Sequence, residues 1–164
     1  MFRPLGLLSW IAASATLIAL GSIASPALAQ KTDLTLGGGT ITFPAPTATD
    51  YINGFVNSTT GVLYTLDATN GNGSHTTTVL IRATSPDLGN GKLLSDLQWR
   101  RSDLSAWNSI GATNTQVEQK IMIRGTLNDP WSNTIFFRMV LDWTKDAPAV
   151  YTANYQVTLS QTVP

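Results

Sequence analysis

Tyr151 to Ser160 alternates along its length, with Tyr151, Ala153, Tyr155, Val157 and Leu159 on one side and Thr152, Asn154, Gln156 and Thr158 on the other. A period of two held over that distance describes a strand with one buried face and one wet face. Thr134 to Thr144 repeats it, with Ile135, Phe137, Met139, Leu141 and Trp143 inward and Phe136, Arg138, Val140 and Asp142 outward. In Val117 to Leu127 the inner side reads Val117, Ile121 and Ile123, and the outer side Glu118, Lys120, Met122 and Arg124. These three segments carry the strongest signal.

Earlier segments are shorter. Gly61 to Thr69 places Val62, Tyr64, Leu66 and Ala68 on one face, and Thr76 to Thr84 does the same with Val79, Ile81 and Ala83. Asn70-Gly71-Asn72-Gly73 between them is a tight-turn sequence and predicts a hairpin. Asp33 to Phe43 is expected as an edge strand, bent at Gly37-Gly38-Gly39 and ended by Pro44 and Pro46. A short strand is expected at Tyr51 to Val56, and two more extended pieces at Leu97 to Arg100 and Ala106 to Ile110. Ser85 to Ser95, with Pro86 and Gly89-Asn90-Gly91, is a loop. No window sustains a 3.6-residue apolar period. About seven or eight antiparallel strands at such spacing predict an all-β, two-sheet β-sandwich. Uneven connections favour it over an up-and-down barrel.

Residues 1–29 break from this rule. Arg3 precedes an apolar run from Leu5 to Leu20, and Pro26-Ala27-Leu28-Ala29 sets small residues before a signal-peptidase site. A charged start, an apolar middle and an A-x-A end make a secretory signal peptide, with cleavage expected between Ala29 and Gln30. Residues 30–164 are then expected to form one domain, secreted or held in the periplasm or at the cell surface.

Lys+Arg and Asp+Glu are ten each, a balance that predicts no attraction to nucleic acid or anionic lipid. Cysteine is absent, so neither a disulfide nor a lipoprotein anchor is expected. With no apolar C-terminal tail, no membrane anchor is expected after cleavage.

Lys145-Asp146-Ala147-Pro148-Ala149-Val150-Tyr151 and the alternating run to Leu159 resemble the closing strand of secreted bacterial immunoglobulin-like and pilin-like surface domains. Ala149 stands where those domains carry Gly, and Val150 where they carry Thr. Leu97-Gln98-Trp99, Ala106-Trp107-Asn108 and Val117 resemble WxL-type surface proteins more loosely, since the Trp-x-Leu signature is missing. The resemblance implies an immunoglobulin-like sandwich with a structural or adhesive role and transfers no functional residue.

Candidate chemistry is sparse. His75, the one histidine, follows the glycine-rich turn and is expected to face solvent; a lone imidazole builds no metal site. No Gly-x-Ser-x-Gly elbow occurs, and the acidic residues, with Glu118 the one glutamate, are scattered. Asp67 to Gly73 collects oxygen donors but fails the calcium-loop spacing, so a plain turn is expected. Arg82 and Arg100-Arg101 read as solvated edge charges. Among the tryptophans, Trp99 and Trp143 share parity with apolar neighbours and are expected in the core. Trp107 and Trp131 fall in or near loops and are the candidate ligand-binding residues, because exposed aromatic faces serve as platforms for sugars or partners. The expectation is a non-enzymatic structural or adhesive protein without cofactor or metal. Its partners would be a surface polysaccharide or neighbouring copies of itself, the latter through strand exchange by the Lys31 to Phe43 arm. A carbohydrate-binding module is the alternative, and a small secreted hydrolase ranks below it.

Overall fold

A computed structural model describes residues 31–36, 40–69, 73–146 and 149–162. The signal segment with Ala29 and Gln30, the triple glycine and the tip of the Asn70 turn lie outside these residues.

Two antiparallel sheets enclose a shared apolar core. The strands are β1 (Lys31–Leu36), β2 (Thr40–Phe43), β3 (Phe55–Asn57), β4 (Val62–Thr69), β5 (Ser74–Ala83), β6 (Leu97–Arg101), β7 (Asn108–Ser109), β8 (Thr115–Ile123), β9 (Trp131–Val140) and β10 (Tyr151–Thr162). The first sheet runs β1-β4-β9-β6-β7, with β3 also paired to β9; the second runs β2-β10-β5-β8. Tyr64, Leu66, Ile135, Phe137 and Met139 face Val79, Ile81, Ala153 and Val157 across the interior, all buried. Phe137 and Tyr155 meet with ring centroids 5.3 Å apart. Burying each large apolar side chain contributes about 1.5–3 kcal/mol. The expected alternation holds in β4, β5, β9 and β10.

Five expectations are corrected. The first strand is two strands in different sheets: β1 pairs with β4, and β2 with β10. The arm expected to reach a neighbouring copy is therefore paired within its own chain. The Gly61–Thr69 and Thr76–Thr84 segments are strands but not a hairpin, because β4 and β5 belong to opposite sheets.

Around Tyr51 the chain forms a helix, α1 (Ala48–Asn53), before the short β3. Thr47 caps it, accepting from the Asp50 backbone N–H while the Asp50 carboxylate accepts from the Thr47 N–H at 2.8 Å. Gly54, at φ 76°, closes it in the left-handed region. Six residues are too few to show a periodicity.

In β8 the inner face is inverted beyond Val117. The register with β5 slips between Val79 and Leu80, so Val117 and Glu118 together oppose Val79. That bulge turns both inward and reverses every later side chain. Met122 is buried and Ile121 is 59% exposed.

Trp143 is 60% exposed, because β9 ends at Val140 and the chain turns at Asp142. Its ring stacks on Tyr51, 4.4 Å between centroids. Trp99 is buried, as its parity implied.

Candidate functional site

His75 does not face solvent. β5 starts at Ser74, which makes His75 an inward position in line with Thr77 and Val79, and it is 1% exposed. Its Nε2 is hydrogen-bonded to the Thr32 hydroxyl of β1, so the imidazole ties one sheet to the other. Burial pushes its pKa down from the usual imidazole value.

A second interior cluster gathers around Glu118, which the β8 bulge turns toward the first sheet. Its Oε2 accepts from the Tyr64 hydroxyl and from Trp131 Nε1 at 3.1 Å. Arg101 pairs with Glu118 Oε1 at 3.3 Å and donates to the Val117 carbonyl at 3.3 Å, a group that the bulge takes out of the ladder. Asp103 holds the same guanidinium at 2.7 Å, which lowers the Asp103 pKa and raises that of Arg101. Burial, then the bond to Glu118, pushes the Tyr64 phenol far up.

Trp131 belongs to this cluster. Its N–H is committed to Glu118 and its face lies 3.4 Å from Lys120 Nζ. At the opposite end Lys92 is buried against Asp146 and Asp96. The carboxylate of Asp146 also receives the Asp142 N–H at 2.7 Å, and its carbonyl receives the Tyr51 hydroxyl.

Trp107 is elsewhere, on the outer face of the first sheet. Register places Phe136 beside Arg100 and Arg138 beside Gln98 across β9 and β6, and Phe55 at the end of β3 beside Val140. All three rungs point away from the core. Arg100 donates to the Leu104 carbonyl at 2.9 Å, and the loop it holds leads back to Trp107. The Arg100 guanidinium then lies 5.1 Å from the centroids of both Trp107 and Phe136. That of Arg138 lies 4.5 Å from Trp107 and 5.0 Å from Phe55. The result is a ladder, Phe136–Arg100–Trp107–Arg138–Phe55, in which rings and guanidinium groups alternate. Such contacts contribute about 0.5–2 kcal/mol each, more as water is excluded.

The ladder lines a groove of about 730 Å³, walled further by Asn57, Ser58, Ser102 and Ser105. Desolvation, and after it the charge of Arg100, lowers the Arg138 pKa. Arg138 Nε donates to Gln98 Oε1 at 2.7 Å. Neither arginine forms an ion pair among the described residues, and Asp103 in the groove wall is committed to Arg101 and Asn133. Arg100 and Arg101 are therefore not a solvated edge pair; one is stacked outside and the other bonded inside. Phe136 is held from behind by Gly61, where a Cβ would come within 2.5 Å of Thr134 Cγ2 and 2.9 Å of the Phe136 ring.

Of the two candidate tryptophans, the structure thus sets Trp107 in an open groove and Trp131 against a buried carboxylate. Arg100, Arg138, Phe55 and Phe136 join the site without having been singled out from the sequence. The available signal was Phe136 on the wet side of an otherwise well-ordered strand. No protein family, curated protein or solved structure compared with the chain matches it.

Proposed function

We propose that this chain is an exported, non-enzymatic β-sandwich that acts by binding, in an adhesive role at the cell surface or envelope, with the Trp107 groove as its contact surface. One observation carries the reading: a roomy groove on the outer face of a sheet is lined by aromatic rings and, set over them, two arginines that form no ion pair among the described residues. Aromatic faces, hydroxyls and amides in one groove suit a sugar, whose rings stack and whose hydroxyls need hydrogen-bond partners. That makes the adhesive and carbohydrate-binding readings one proposal.

The exported character rests on the signal-like residues 1–29 and on the resemblance of the Lys145–Leu159 stretch to secreted surface domains. The immunoglobulin-like part of the reading is supported by two antiparallel sheets with connections that cross between them. Support for a non-catalytic role comes from His75, which is occupied between the sheets.

Intrinsic tryptophan fluorescence, titrated with a panel of neutral and acidic oligosaccharides, tests the proposal. A saturable change is expected with the intact protein, at least about tenfold weaker in Trp107→Ala with its melting temperature unaltered. Silence across the whole panel contradicts it.

A further inference from the structure

Arg100 and Arg138 stand against the same indole, each within 5.1 Å of its centroid. Two like charges brought together repel, and partial removal from water adds to the cost. Elsewhere the described arginines and lysines of the interior meet carboxylates: Arg101 meets Glu118 and Asp103, and Lys92 meets Asp146 and Asp96. In the groove neither Arg100 nor Arg138 meets a carboxylate among the described residues; they meet aromatic faces and the neutral oxygens of Gln98 and of the Arg101 and Leu104 carbonyls. A guanidinium stacked on a ring is fixed in orientation and retains further N–H donors in its own plane. That fork matches the two oxygens of a carboxylate.

We infer that the groove takes a carboxylate-bearing oligosaccharide, a chain of uronic acid units. The inference rests on the proposed binding function and names its ligand. Arg100 and Arg138 hold carboxylates, Trp107 and the flanking phenylalanines take the apolar faces of sugar rings, and Ser58, Ser102 and Asn57 meet hydroxyls. Charge density separates this ligand from nucleic acid. Polyphosphate binding draws on an extended cationic surface, whereas here the groove offers two cations, its wall also carries Asp103, which is held by Arg101 and Asn133, and positive and negative residues balance over the chain. One negative charge per sugar unit fits that arrangement.

The test compares oligogalacturonate with its fully methyl-esterified form, which keeps the sugar and removes the charge. Binding is followed by calorimetry and tryptophan fluorescence at low and high salt. The acid is expected to bind about tenfold or more tightly than the ester and to weaken as salt rises. Arg100→Gln and Arg138→Gln should each reduce that preference, and the double variant should abolish it. Arg82→Gln, which removes the same charge from the other sheet, should leave it intact. Melting curves establish that every variant is folded.

Equal affinity for acid and ester overturns the inference and leaves the proposed function standing. A preference for acid that survives in the double variant also overturns it, because the charge is then read elsewhere. Binding to neither sugar, nor to any other glycan, removes both claims. Displacement of oligogalacturonate by a phosphoserine peptide at lower concentration than by free galacturonate assigns the arginines to a phosphorylated ligand and overturns the inference.

Discussion

Arg100 and Arg101 are consecutive residues of one strand, and the pleat sends them to opposite worlds. Arg101 enters the interior, where two carboxylates and a carbonyl saturate it. Arg100 goes to the outer face and finds rings, carbonyls and a second arginine. The same division holds for the tryptophans, since Trp131 is bonded into the Glu118 cluster and Trp107 lines a groove. An interior charge without a partner would cost several kcal/mol, so the fold supplies one. A charge on an open face has no such requirement from folding. There Arg100 and Arg138 form no ion pair among the described residues, and the proposed ligand would meet them.

The interior half of the contrast should show the largest effect. Glu118→Ala leaves the partly buried Arg101 with one carboxylate fewer and strips acceptors from the buried Tyr64 hydroxyl and from Trp131. Stability is expected to fall by about 3–5 kcal/mol in urea denaturation. Glu118→Gln retains an oxygen for both donors and should lose less. A small cost for the alanine variant would mean that the cluster is not the anchor described here.

Gly61→Ala strikes the outer half through packing, because the added methyl meets Thr134 on β9 and the Phe136 ring of the groove. We expect a loss of about 1–3 kcal/mol together with weaker ligand binding. Unchanged binding would separate the Phe136 position from the site.

Proton uptake by His75 gives a graded effect. Because its pKa is lowered in the folded chain, the unfolded chain takes up the proton first as pH falls. Stability is therefore full above about pH 6.5 and declines below it, by at most about 1.4 kcal/mol per pH unit, until the folded form protonates as well. His75→Gln should flatten this part of the profile. Parallel curves for the two proteins between pH 5 and 7.5 would contradict the buried position.

The outer half should show the smallest effect on stability. Arg138→Gln removes two half-exposed cation–π contacts but also relieves repulsion from Arg100, so denaturation should shift by less than about 1 kcal/mol. A loss as large as that of Glu118→Ala would place Arg138 among the structural charges.

The fold was legible where a strand's own alternation decides its faces, as in Trp131–Val140 and Tyr151–Thr162. It was illegible where a partner decides. The bulge at Val117 depends on β5, and nothing within β8 announces the reversal that buries Met122 and exposes Ile121. The Asn-Gly turn signals a change of direction, yet whether it closes a hairpin or an arch depends on which sheet takes each strand. The Thr47–Asp50 capping pair and Gly54 were readable, but a six-residue helix gives no period to confirm them. Trp107 was visible as a loop tryptophan; its arginines were not, because the register of β6 against β9 brings Arg100 and Arg138 together from distant parts of the chain.

The central claim is that the outer ladder, and not the interior cluster, meets the ligand. It is tested most directly by mapping NMR shifts of the indole N–H and arginine Nε–H groups during titration with oligogalacturonate. The account predicts movement at Trp107, Arg100 and Arg138, with Trp131 and Arg101 still. Shifts centred on Trp131 or Trp143, with the ladder unmoved, would contradict it.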